Sequence, residues 1–157
     1  MSEDTRIKII VDTREQLPLV FSSKHITRVI RQKLDVGDYG CEFEDGTVVP
    51  IVFDRKSLGD LYGTMGKGYK RFKRCIERAR EGQQTLFIIV EATLSKVLNG
   101  YDRSKIPGVS MVYKLFTLWV RYGVQTIFVK NREEMSEYIT QFFIACGKEH
   151  VRNGKTK

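Results

Sequence analysis

Residues 37–60 read GDYGCEFEDGTVVPIVFDRKSLGD, two extended runs on either side of an acidic turn. The first run, Tyr39–Phe43, follows a Gly-Asp pair. Glu44, Asp45 and Gly46 form the turn, Asp-Gly being a strong hairpin signal. The second run, Thr47–Arg55, carries Pro50, which removes a ladder donor and predicts a bulge there. The two-residue period of a strand puts Val52, Asp54 and Lys56 on one face and Phe53 and Arg55 on the other. Pairing of the runs would bring Asp38 and Asp54 to one end of a sheet, with Lys56 beside them. Two carboxylates suit a hard divalent cation such as Mg2+ or Mn2+, and a lysine suits a phosphate. On spacing alone the same residues read equally well as a turn and a solvated strand end.

The remaining sequence limits what such a site could belong to. At 157 residues, 41% of them hydrophobic, the chain is long enough for one domain with a sizeable core. Its net charge of +8 favours a polyanionic partner, nucleic acid first and an acidic membrane surface second. Cys41, Cys75 and Cys146 are odd in number and form no CxxC pair, which argues against a zinc site or a disulfide framework. His25 and His150 stand apart and read as surface residues. The longest apolar run, LFIIV, is far too short to span a bilayer, and MSEDTRIKII has no signal-peptide core. These features predict an intracellular protein: cytoplasm or nucleoid in a prokaryotic or viral setting, nucleus in a eukaryotic one.

Strand signals fall at Lys8–Val11, Ile26–Leu34, Leu86–Val90 and Thr126–Val129, besides the hairpin. Helix signals fall at Ser57–Leu61, Tyr69–Arg80, Leu94–Leu98, Ser110–Tyr122 and Glu133–Cys146. Ser57 and Asp60 match a helix-capping box, so Asp60 is expected to cap rather than to bind metal. Strands come first and then alternate with helices, which predicts an α/β fold with a central mixed sheet flanked by helices. Residues 1–147 read as one domain and 148–157 as a basic, flexible tail.

The helix over Tyr69–Arg80 is strongly cationic. Lys67, Lys70, Arg71, Lys73, Arg74 and Arg78 surround an apolar stripe, offset between Lys67 and Arg80 by Glu77 alone. Such a face suits a phosphate backbone, although it also reads as a solvated surface. The nearby GTMGKG fails as a P-loop because Gly68 stands where Ser or Thr should follow the lysine, and no GxGxxG fingerprint occurs. Two further carboxylates, Asp12 and Glu15, follow the first strand, and Glu91 follows another. Adjacent strands would crowd them on one rim, which needs a metal or basic side chains to offset it.

Four elements in this order, VDTREQ, LDVGDY, FDRKSLGDL and LFIIVEA, resemble the nuclease domain of the XPF-type structure-specific endonucleases. The family signature, Gly-Asp followed later by Glu-Arg-Lys-x-x-x-Asp, falls on Gly37, Asp38, Asp54, Arg55, Lys56 and Asp60. The upstream element falls on Val11, Asp12, Arg14 and Glu15. The resemblance implies a restriction-endonuclease-like core and Mg2+-dependent cleavage of branched DNA (flaps, forks or Holliday junctions) that leaves a 5′-phosphate. It further implies metal ligation by Asp12, Asp38 and Asp54, with Glu15 assisting. Lys56 would sit at the scissile phosphate, and Arg14 and Arg55 would support the site electrostatically.

Three departures from the pattern matter. Asp54 replaces the usual Glu, shortening the reach by about 1.5 Å. Arg74 stands where relatives often carry Gln. The tandem helix-hairpin-helix module that usually follows is not within these residues. A dimer through 110–122 and 133–146, with itself or a related subunit, is expected. The competing reading is a catalytically silent DNA-binding or partner-stabilising subunit.

Overall fold

The computed structural model describes residues 5–155. Its centre is one six-stranded sheet in the order β2-β1-β3-β4-β5-β6. The strands are β1 (Ile7–Val11), β2 (Ile26–Arg31), β3 (Tyr39–Phe43), β4 (Ile51–Ser57), β5 (Thr85–Glu91) and β6 (Thr126–Val129). The helices are α1 (Leu58–Met65), α2 (Tyr69–Glu81), α3 (Leu94–Leu98), α4 (Gly108–Tyr122) and α5 (Arg132–Lys155). β3 runs antiparallel to both β1 and β4, whereas β1–β2, β4–β5 and β5–β6 are parallel, so the sheet is mixed. No helix among the described residues is long and apolar enough to cross a membrane.

Strand alternation distributes the core between two layers. Val52, Ile88 and Val90 face α1, α2 and α4, burying Leu61, Met65, Phe72, Ile76, Met111 and Leu115. Their neighbours Phe53 and Ile89 face the other way, against Met135, Ile139 and Phe143 of α5. Phe53 meets Phe87, Phe142 and Phe143 edge-on, with centroids 5.4–5.9 Å apart.

Three expectations change. The second hairpin arm does not run unbroken from Thr47. Val48 and Val49 pair with Glu42 and Cys41, and β4 begins only after Pro50, touching β3 in register at Tyr39 and Phe53. Pro50 has no N–H for the ladder, and its carbonyl instead accepts from Thr85 at 2.8 Å. β2 stops at Arg31 rather than Leu34, because β1 gives out at Val11 and offers no further partner.

The predicted flexible tail at 148–157 is helical as far as Lys155. Gly147 lets α5 lie close on β1, since a Cβ there would sit 2.9 Å from Thr5 Cγ2 and 3.2 Å from Ile7 Cγ2. One turn on, the His150 ring stacks on Phe43 at 4.6 Å and bonds the Asp45 carboxylate at 2.7 Å. These contacts hold the helix where its sequence alone is too polar to hold itself.

Candidate active site

Gly37 explains why the Gly-Asp pair must be Gly-Asp. Its φ is +80°, and a Cβ would lie 3.0 Å from Val52 Cβ and Cγ2. The chain therefore passes tightly over β4 and delivers Asp38 to the end of the sheet. The Asp38 main chain joins two strands there, its N–H donating to Phe53 at 2.7 Å and its carbonyl accepting from Asp12 at 2.9 Å.

The Asp38 side chain accepts from the Arg55 N–H through Oδ2 at 2.8 Å and lies against the Asp54 carboxyl. Burial first, and the charge of Asp54 second, push the Asp38 carboxyl up to about 8, against the lowering effect of the Arg55 hydrogen bond. Asp54 Oδ2 is 3.1 Å from Lys56 Nζ. That ammonium sits 5.3 Å from the centroid of the Phe72 ring. Asp54, Lys56 and Phe72 form one wall of an open cleft of about 380 Å3, also lined by Gly63, Thr64, Arg71 and Cys75, with Asp38 behind Asp54.

The other expected residues take different places. Asp12, only 1% exposed, accepts from Leu34 N–H at 2.8 Å through Oδ1, and from Arg14 Nε at 2.7 Å and Arg14 N–H at 3.2 Å through Oδ2. Burial pushes its carboxyl up, but the hydrogen bonds from Arg14 and Leu34 and the charge of Arg14 outweigh this and hold it below the usual value. Arg14 also donates to the Leu34 carbonyl at 2.8 Å. Asp12 thus clamps two loops.

Glu15 receives Arg55 Nε at 3.2 Å and the Tyr39 hydroxyl at 2.8 Å, and that hydroxyl accepts from Leu19 N–H at 2.9 Å. Burial lowers the pKa of Arg55, but the Glu15 carboxylate more than restores it. Ser57 and Asp60 form a reciprocal capping box at the start of α1. Asp60 is thereby committed to the helix end.

The structure therefore brings Asp38, Asp54 and Lys56 together, while Asp12 and Glu15 brace them from β1 and its following loop. Among the described residues no group of three or more His, Cys, Asp or Glu is placed to hold a metal ion. The close pair, Asp38 and Asp54, supplies two carboxylates. Mg2+ commonly takes one or two from a protein and completes its shell with water and substrate phosphate. A cation would also relieve the crowding that raises Asp38. The donor set fits.

On α2, Lys70, Arg71, Arg74 and Arg78 are exposed and Lys73 is half-buried, its ammonium 5.9 Å from the Tyr69 ring centroid. Arg71 lines the cleft itself, Lys67 precedes the helix in an exposed turn, and Arg78 reaches the Asp35 carbonyl at 3.3 Å. Sequence reasoning missed Tyr39 as the anchor of Glu15 and Phe72 as the surface beneath Lys56. Both read as ordinary core positions, and the distant partners that give them a role are 24 and 16 residues away in sequence.

Comparison with known proteins fits this geometry. The ERCC4 domain model matches residues 11–142. No curated protein sequence matches. XPF from Aeropyrum pernix superposes with a TM-score of 0.67 at 22% identity over 92% of this chain and 65% of that one. The same protein in complex with DNA gives 0.65 at 21% identity, over 95% and 66%. This chain thus spans about two-thirds of the solved structures it resembles. It shares their restriction-endonuclease-like fold, a mixed sheet flanked by helices. By the match across most of its length, the chain belongs to the ERCC4 domain family.

Proposed function

We propose that this protein is a metal-dependent DNA endonuclease that hydrolyses phosphodiester bonds in branched DNA (flaps, forks or Holliday junctions) and leaves a 5′-phosphate. The observation that carries the reading is the Asp38–Asp54 pair with Lys56 against it, Asp54 and Lys56 lining a cleft that Arg71 shares. Family membership supports nuclease chemistry, and an XPF relative solved with DNA supports the substrate.

Asp38 and Asp54 would hold Mg2+, with Mn2+ able to substitute. The bound ion would acidify a water and stabilise charge on the phosphate. Lys56 donates to a non-bridging phosphate oxygen and orients the attacking water. Arg71 meets the adjoining phosphate, and Lys67, Lys70, Lys73, Arg74 and Arg78 extend that contact along the backbone without reading sequence. Asp12 and Arg14 keep the loop after β1 in place, and Arg55 with Glu15 fixes the strand end from behind.

A dimer, with a second copy or a related chain, forms across α4 and α5. Val109, Tyr113, Phe116, Trp119 and Val120 of α4 and Tyr138 of α5 are exposed, an apolar surface suited to such an interface.

The test is cleavage of labelled duplex, flap and Holliday-junction DNA in Mg2+ or in chelator. Cutting of branched substrates that needs metal and is lost in Asp38→Ala and Lys56→Ala is expected. Binding without cutting, unchanged by Asp38→Ala, would overturn the nuclease reading in favour of a silent DNA-binding subunit.

A further inference from the structure

A second cavity, of about 600 Å3, opens beside the cleft between α1 and the 100–107 loop, and Gly63 lines both. One side of it is glycine. Gly59 and Gly63, four residues apart, share one face of α1, and Gly66 follows at its C-terminal cap. A Cβ added at Gly63 would meet nothing within 4 Å, so the passage from the cleft is open at main-chain level. The opposite side carries Tyr101, Arg103, Ser104 and Lys105.

Tyr101 is firmly held. A Cβ at Gly59 would stand 2.9 Å from its hydroxyl, and its ring lies 5.8 Å from that of Tyr62, whose own hydroxyl is bonded to the Val97 carbonyl at 2.7 Å. The loop is braced from within by Ser104 N–H to the Tyr101 carbonyl at 2.9 Å and Ile106 N–H to Ser104 Oγ at 3.2 Å. Lys67, Arg103 and Lys105 are exposed, and none has an ion pair among the described residues. Asp60 accepts from the Ser57 N–H at the start of α1, and Asp102 shares the loop with Arg103 and Lys105.

We propose that this groove is a subsite for single-stranded DNA. It takes unpaired nucleotides flanking the scissile phosphate, with Tyr101 as the stacking surface and Lys67, Arg103 and Lys105 as phosphate contacts. A fixed aromatic ring among unspent cations is the usual means of holding a single strand without regard to sequence. The concavity admits a splayed strand, whereas a duplex would meet only its rim. The proposal rests on the nuclease reading for the identity of the polymer, and it adds that the enzyme distinguishes an unpaired flank from continuous duplex through this groove.

The test is fluorescence-anisotropy binding in chelator, using the full chain, a single-stranded oligonucleotide, a plain duplex and a duplex bearing a single-stranded flap. Tyr101→Leu, which keeps an apolar contact with Tyr62, should weaken single-strand and flap binding about tenfold. Tyr101→Phe should restore it. Arg103→Ala with Lys105→Ala should lower the salt dependence of single-strand binding by about 1.4 in log–log slope, at about 0.7 for each phosphate contact. Plain duplex affinity should stay within about twofold in these variants. Gly63→Leu, whose new residue is the better helix former, should close the passage and weaken flap binding similarly.

Equal losses on duplex and single strand, or none on either, overturn the subsite. Absence of single-strand binding by the unaltered protein also overturns it. If the binding differences appear but no substrate is cut in Mg2+, the subsite stands and the nuclease reading falls. If cutting occurs and the groove variants bind every DNA normally, the reverse holds.

Discussion

Asp54 and Lys56 on one side of β4, and Arg55 on the other, are consecutive in sequence but use their charges in opposite ways. Arg55 is closed off: Glu15 accepts from both Arg55 Nε and the Tyr39 hydroxyl, and the arrangement bonds the loop after β1 to the sheet. Asp54 and Lys56 face a cleft, pair with each other at 3.1 Å and crowd Asp38, which accepts only one hydrogen bond from the neighbouring main chain. One side of the strand is built for rigidity, and the other keeps charge available. Alternation makes this separation possible, and a one-residue slip in register would exchange the two sides.

The largest expected break in that comparison is chemical. Lys56→Ala should lower the cleavage rate about 10²- to 10³-fold in single-turnover assays, and Asp38→Ala should abolish cutting, with the fold retained in both by circular dichroism. On the other side the effect should be thermodynamic. Glu15→Ala leaves a half-buried guanidinium without its partner and should cost about 2–3 kcal/mol in urea denaturation, with a smaller effect on kcat of whatever protein remains folded. A variant pair that reversed these two outcomes would dissolve the distinction.

The pH dependence of stability separates the sides further. The Asp38 carboxyl is raised to about 8, so the folded protein holds a proton there that the unfolded chain releases above about 4. Folded stability from this group is greatest below the unfolded value and falls as pH rises from about 4 to about 8. Urea midpoints measured in chelator should decline over that window, and Asp38→Asn should flatten the decline. Asp12, whose carboxyl is held below the usual value, should act in the opposite sense, losing its contribution only as the solution becomes strongly acidic. The smallest effect belongs to Ser57, the next residue along β4. Ser57→Ala should cost about 1 kcal/mol through the lost helix cap, measured by thermal melts.

Much of this was legible in the order of residues. Period-two alternation separated Val52, Asp54 and Lys56 from Phe53 and Arg55, and the Ser57–Asp60 spacing identified the α1 cap. The illegible parts share one cause, a partner far away in the chain. Nothing around Asp12 foretells that Leu34 donates to its Oδ1 and Arg14 to its Oδ2. Nothing around Gly147 foretells β1 beneath it, so the sequence pattern ends the helix at Cys146. The groove beside the cleft depends on residues 100–107, a loop without periodicity whose position over α1 only the folded chain defines.

The placement of Asp38 has a consequence for dynamics. Its amide is the donor to Phe53, and its carbonyl accepts from the Asp12 N–H, so the residue of the candidate carboxylate pair is also a junction between strands. The main chain of this residue cannot move far without breaking its bonds to Asp12 and Phe53. In native-state hydrogen exchange the Asp38 amide should therefore exchange as slowly as the core amides of β5, by global opening, while exposed loop amides exchange much earlier. A destabilising substitution elsewhere would then reduce the amount of folded protein without altering the molecules that remain.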